Sequence, residues 1–151
     1  MKIIAVIGGA QCSPEIYELA RQAGQEIAKA GAMLICGGLF GVMEAACRGA
    51  KEAGGMTIGI LPGKTKDEAN AFVDLPIVTG FNDARNVIIA RSADGLIAVD
   101  GAYGTLSEIA FALKFGKPVA GLRLSFDIPQ VVQATTAAEA VNLLLKRIGS
   151  I

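Results

Sequence analysis

Short, unbroken apolar runs alternate with stretches of helical period along this chain, and that alternation most narrows the folds open to it. The runs fall at residues 2–8, 32–36, 56–61, 95–99 and 118–122, with a weaker one at 75–78. A strand covered on both faces needs no polar residue at alternate positions, so such runs read as strands of a parallel sheet. Between them lie helices with recognisable ends. Ser13 stands as an N-cap before Pro14 at the first helical position. Ile16, Leu19, Ala20, Ala23, Ile27 and Ala30 then keep one face apolar as far as Gly31. A second helix is expected over 42–53, stopped by Gly54-Gly55, and Asn82 is expected to cap a third running to Ser92. A fourth is expected over 105–115. Thr136 and Glu139 have capping-box spacing and open a last helix reaching Ile148. Residues 62–71 make the one polar loop of any length. Strand–helix alternation implies βαβ units, and 151 residues suit one domain. The expected fold is α/β: a Rossmann-like three-layer sandwich with a parallel, doubly wound sheet, in a single domain over residues 1–151.

Composition removes several function classes. Fourteen basic residues balance fourteen acidic ones without a basic run, so neither nucleic acid nor a membrane surface is an expected partner. Cys12, Cys36 and Cys47 are odd in number and lack CxxC spacing, which suits reduced thiols in a cytoplasmic protein. With no histidine in the chain, His-based catalysis is excluded and no metal site is expected. The apolar run after Met1-Lys2 is too short for a signal peptide or a membrane span.

The chemistry concentrates in two glycine-rich turns, each placed between a strand and a helix: Gly37-Gly38-Leu39-Phe40-Gly41 and Asp100-Gly101-Ala102-Tyr103-Gly104-Thr105. Glycine lets the backbone turn tightly and lets a ligand approach the peptide N–H groups. The helix behind each turn adds unsatisfied donors and the positive end of its dipole, which favour an anion such as phosphate. In an open parallel sheet both turns lie beyond the carboxyl ends of the strands, where ligands bind. The turn Gly8-Gly9-Ala10 lacks the dinucleotide fingerprint, and no glycine loop carries a Walker lysine, which disfavours NAD dehydrogenase and ATPase chemistry. Arg85, in the first turn of its helix, and Glu108, in the first turn after the second glycine loop, are charged residues beside these turns. Taken alone, the arginine reads as a solvated surface residue and the carboxylate as a partner of the helix dipole. Their spacing within a family pattern is what makes them the candidate catalytic residues.

These blocks resemble the Lonely Guy (LOG) family, long mislabelled as possible lysine decarboxylases, and the related molybdenum-cofactor carrier proteins. The family pattern P-G-G-x-G-T-x-x-E is met at Gly101, Gly104, Thr105 and Glu108, with Arg85 fifteen positions before Asp100 (100 − 85). A second block matches Gly37-Gly38-Leu39-Phe40-Gly41-Val42-Met43. The resemblance implies a Rossmann-like homodimer or higher homo-oligomer that binds a phosphorylated small molecule, a nucleotide or a pterin cofactor. Enzymatic members cleave the N-glycosidic bond of nucleoside 5′-monophosphates, with neither metal nor cofactor. Carried over, the backbone from Gly101 through Ala102, Tyr103 and Gly104 to Thr105 would hold the 5′-phosphate. Glu108 would face the ribose, and Arg85 would sit beside the scissile bond. A carboxylate suits that task because glycoside cleavage passes through an oxocarbenium-like state. A PLP lysine context is absent around Lys64, Lys66 and Lys117, so decarboxylation is rejected.

Departures from the pattern leave two readings open. Asp100 replaces the family proline, Ala102 a glycine and Asn86 the usual lysine; Ser107 precedes the glutamate, and Glu44 stands where LOG enzymes have glycine. Asp100 and Glu44 are expected to bring carboxylates near the anion site. The first reading is a phosphoribohydrolase. The alternative is a non-enzymatic carrier of molybdenum cofactor or a related phosphorylated molecule, favoured by the short chain and the changed positions.

Overall fold

A computed structural model describes residues 1–149. Seven strands, β1 (Ile3–Ile7), β2 (Met33–Cys36), β3 (Thr57–Leu61), β4 (Leu75–Val78), β5 (Gly95–Val99), β6 (Val119–Leu122) and β7 (Val132–Ala134), form one sheet. Their order is β4-β3-β2-β1-β5-β6-β7, and every pairing is parallel. The helices are α1 (Pro14–Lys29), α2 (Val42–Glu52), α3 (Arg85–Ser92), α4 (Tyr103–Lys114) and α5 (Ala137–Gly149). The expected Rossmann-like α/β sandwich is the fold observed.

Strand periodicity of two splits the core between the sheet faces. Ile4, Val6, Ile97 and Val99 point to α1, α2 and α5, whereas Ala5, Ile7, Leu96 and Ala98 point to α3 and α4. All of these side chains are buried, which is why the central strands carry no polar residue. Helices α1 and α2 approach very closely. A Cβ on Gly49 would lie 1.8 Å from the Arg21 carbonyl oxygen, and one on Gly24 would lie 1.9 Å from that of Ala46. Both positions therefore need glycine for packing rather than for turning.

Several ends differ from expectation. Ser13 caps α1 through the Ile16 N–H at 3.2 Å, as the sequence implies. Thr136 accepts from the Glu139 N–H at 3.1 Å, but the Glu139 carboxylate turns back to Thr135 rather than to Thr136. Asn82 does not cap α3. It has φ 53° and begins a single 3-10 turn, Asn82–Ala84, that feeds Arg85 into the helix. Helix α4 begins at Tyr103, two residues before the expected Thr105. Strand β7, an edge strand with Gln133 at its centre, has no apolar run to announce it. Among the described residues no helix is long and apolar enough to cross a membrane.

Candidate functional site

Strand order runs outward in both directions from the β1–β5 pair, so the connections diverge at the carboxyl ends of these two strands and leave a crevice there. A cleft of ≈ 230 Å³ occupies that position. Val6 to Ala10 form its floor and one wall, Gly37, Leu39 and Met43 a second wall, and Asp83, Arg85 and Asn86 a third. The start of α4 closes it with Ala102, Gly104 and Thr105, and Glu108 joins them from the next turn of the helix.

The two glycine turns, alike in sequence, are not alike in what they present. At the first, the Val42 N–H donates to Gly9 O at 3.0 Å and the Met43 N–H to Phe40 O at 3.2 Å, so the start of α2 is already occupied. Gly41, at φ 61°, lies so close to the Gly9 oxygen that a Cβ would stand 2.4 Å from it. Buried Asn70 pins the same turn, its side-chain amide donating to Leu39 O at 2.7 Å and its own backbone N–H to Gly38 O at 2.9 Å. Gly38 donates its N–H to Cys36 Sγ at 3.3 Å. At the second turn Asp100 (φ 54°) and Gly101 (φ 120°) bend the chain, and the Ala102 N–H donates to Thr105 Oγ1 at 3.3 Å. The N–H groups of Tyr103, Gly104 and Thr105 then have no partner among the described residues. These are the orphan donors of a helix start, left open at the positive end of the α4 dipole.

Arg85 lies across the cleft, buried to 7% exposure. Its Nε–H donates to Ile60 O at 2.9 Å, Nη2 reaches Gly37 O at 3.5 Å, and Nη1 donates to Asn86 Oδ1. Gly37 is glycine because the guanidinium lies against it: a Cβ there would stand 2.6 Å from Nη2. Glu108 is buried to 6% exposure, and among the described residues nothing donates a hydrogen bond to its carboxyl group. Burial pushes its pKa up to about 8, against the opposing pull of the Arg85 charge. Near neutral pH the raised value favours the protonated, neutral form of Glu108 beside the Arg85 guanidinium. Beneath them Cys36 and Cys47, both free and buried, bring their sulfurs to 3.4 Å. Contact with Cys36 and burial hold the Cys47 thiol protonated.

Of the residues singled out from the sequence, Arg85, Glu108, Gly37, Ala102, Gly104 and Thr105 meet in the cleft lining. Gly38, Gly41, Asp100, Gly101 and Tyr103 stand outside it. Tyr103 is exposed at the rim, and Gly101 packs beside Thr105 and Phe126. The expected crowding of carboxylates does not occur in the lining. Asp100 Oδ1 accepts from Ser125 Oγ at 2.9 Å, and Glu44 Oε1 accepts from Tyr17 OH at 3.2 Å. Both charges still lie near Cys12, whose thiol is raised by burial and by these two carboxylates. Lys64 and Lys66 are exposed and take no part in the lining. Sequence reasoning did not single out Asp83, which lines the cleft, or Asn70, which holds the first glycine turn in place, and no motif marks either. Met43 stands in the second family block, which gave it no role in the site.

Known proteins that resemble the chain include three that bear on this site. The molybdenum cofactor binding protein of Rippkaea orientalis superimposes with a TM-score of 0.91 at 41% identity, over 97% of each chain. The molybdenum cofactor carrier protein of Chlamydomonas reinhardtii does so with a TM-score of 0.88 at 39% identity, over 100% of each chain. The cytokinin riboside 5′-monophosphate phosphoribohydrolase of Mycobacterium tuberculosis is 34% identical over 98 residues, 63% of this chain and 52% of that protein. Residues 1–147 match the model of the SLOG cluster4 family, and the chain belongs to that LOG-related family.

Proposed function

We propose that the cleft binds a phosphorylated, nucleotide-like small molecule and that the chain serves as its carrier. The phosphate takes the N–H groups at the start of α4, and the remainder of the ligand lies over Gly8-Gly9 and Gly37. One observation carries this reading: unpaired N–H groups of α4 face a buried guanidinium whose assigned partners are all neutral. A buried guanidinium hydrogen-bonded only to neutral groups, set beside orphan donors, favours an incoming anion. Carriage rather than hydrolysis is supported by full-length similarity to two molybdenum cofactor proteins at 41% and 39% identity. The phosphoribohydrolase similarity covers 63% of this chain. A phosphorylated pterin is accordingly the favoured cargo.

Hydrolysis is kept as the second reading because of Glu108. A carboxylic acid that still holds its proton near neutral pH is equipped to give it to a departing base, while Arg85 holds a water or the ribose. The role is then proton donation, not the electrostatic stabilisation expected of a carboxylate. Incubation with nucleoside 5′-monophosphates, read by chromatography for free base and by calorimetry for binding, separates the readings. Binding without base release is expected. Base release abolished by Glu108→Gln would replace carriage with hydrolysis, and absence of binding to any phosphorylated ligand would overturn both.

A homodimer formed through the α3–α4 side completes the proposal. The outer faces of α1 and α5 carry Glu15, Glu18, Arg21, Glu139, Lys146 and Arg147, whereas Glu108 is the one charged residue of α4 before Lys114, and it is buried. Leu75, Ile77, Val78 and Phe81 are also exposed, at 48, 42, 37 and 60%. Light scattering on the purified protein tests this arrangement, and a monomer at micromolar concentration would refute it.

A further inference from the structure

Asn86 and Ser107 depart from the LOG pattern at positions twenty-one residues apart (107 − 86), and the fold joins them. Arg85 Nη1 donates to Asn86 Oδ1, Asn86 Nδ2 donates to Ser107 Oγ at 3.3 Å, and Ser107 Oγ donates to Gly104 O at 2.7 Å. We propose that Asn86 and Ser107 are positioning residues that couple Arg85 to the anion cradle by orienting and polarising the Thr105 peptide N–H. The proposal rests on the reading that the start of α4 receives the anion.

The direction of the chain of bonds is what makes it act. Ser107 has a single hydroxyl hydrogen, and it is committed to Gly104 O, so toward Asn86 the oxygen can only accept. The Asn86 amide must therefore donate, which leaves its carbonyl for Arg85. Every donor consequently points away from the guanidinium and toward the Gly104 carbonyl. That carbonyl belongs to the same peptide unit as the Thr105 N–H, one of the open donors of the cradle. Hydrogen bonding to one end of a peptide strengthens the dipole at the other, and bonds arranged in series reinforce each other. The same contact holds the first turn of α4 at a set distance from α3.

Donor counting gives Arg85 its share. Of five guanidinium N–H groups, Ile60 O, Gly37 O and Asn86 Oδ1 take three, leaving one on each terminal nitrogen. With Nη1 held by Asn86, the plane of the guanidinium is set and the free pair has one direction. A lysine at position 86 offers only donors. It would break the relay and add a second cation to a cleft that now holds one.

The test uses inorganic phosphate and adenosine 5′-monophosphate as probes, with amide and arginine side-chain NMR on the full chain. Ser107→Ala should shift the Thr105 amide proton toward weaker donation in the ligand-free protein and speed exchange of the Arg85 Nε–H, which Ser107 does not touch. Phosphate affinity should fall about twofold to threefold, the order expected when one charge-assisted hydrogen bond is weakened rather than removed. Asn86→Leu adds no charge, removes the donor to Ser107 together with the acceptor for Arg85, and should cost the same. Combining it with Ser107→Ala should cost no more than either alone, and Ser107→Thr should restore the wild-type values. Losses that add independently, or folded variants with unmoved Thr105 and Arg85 signals, overturn the relay. Signals that move as described in a wild-type protein that binds neither probe keep the relay and overturn the anion reading instead.

Discussion

Replacing Glu108 by glutamine should remove most of this protein's loss of stability between pH 5 and pH 9. Unfolded, the carboxyl group titrates at its ordinary value of 4.5; in the folded protein burial raises it to about 8. Between those values the folded state holds a proton that the unfolded state has released. The folded state alone binding the proton means that stability falls as pH rises, by about 1.4 kcal/mol per unit. Below pH 4.5 both states are protonated and the contribution is flat. Through a window of about three and a half units the loss accumulates, to about 3 kcal/mol at pH 7 and about 5 kcal/mol above pH 8. Glutamine, similar in shape and neutral throughout, carries no such dependence. Urea unfolding of both proteins at unit steps of pH isolates the effect, because other carboxylates titrate equally in each and cancel in the difference. The two midpoints should coincide near pH 4.5, with Glu108→Gln gaining steadily above it. A difference that stays flat from pH 5 to pH 9 would show that Glu108 is ionised in the folded protein, and a neutral acid beside Arg85 would be the wrong description.

Two glycines separate a packing requirement from a site requirement. Gly49→Ala drives a Cβ into the Arg21 carbonyl at 1.8 Å, a backbone atom that cannot swing aside, so α1 and α2 must part. Even after the roughly 1 kcal/mol that alanine contributes to a helix, a net loss of about 2 kcal/mol or more is expected in urea unfolding, and an unchanged midpoint would refute the close crossing. Gly37→Ala meets only the movable ends of Arg85 and Met43, at 2.6 and 2.8 Å. It should cost about 1 kcal/mol of stability, the order of a minor repacking, yet abolish phosphate binding by displacing the guanidinium; calorimetry showing wild-type affinity would deny Arg85 its place in the site.

What could be read from the chain follows from where each signal is stored. The buried strands were legible because a parallel strand covered on both faces, such as Gly95–Val99, is apolar at every position. The edge strand Val132–Ala134 was not, since one flank is open and Gln133 interrupts any apolar run. Ser13 was legible as a cap because capping is local, whereas Asn82 carries the right residue type in the wrong backbone conformation, at φ 53°. The site divides in the same way. Glycine turns and the glutamate that follows the second of them are local features and showed in the sequence, although α4 starts at Tyr103 and puts Glu108 beyond its first turn. The closure of the first turn was invisible, because the Gly9 oxygen that takes the Val42 N–H comes from a loop more than thirty residues earlier (42 − 9).

That closure decides how the cleft works. Two open helix starts beside Arg85 would make a site able to hold two anionic groups, as a dinucleotide requires. With the first two N–H groups of α2 consumed by Gly9 and Phe40, the open helix start beside Arg85 is that of α4, and on the proposed reading the cleft takes one phosphate there. Glu108 enforces the same limit from the other direction. Ionised, it would neutralise Arg85 and weaken the attraction for phosphate; protonated, it leaves the buried cation free to act. An incoming phosphate raises the cost of ionising Glu108 still further, so binding and proton retention support each other. Affinity should therefore decline as pH rises through 8, although phosphate itself becomes no less charged. Charge on the ligand alone cannot produce that sign, so a declining affinity identifies the proton on Glu108 as part of the binding site.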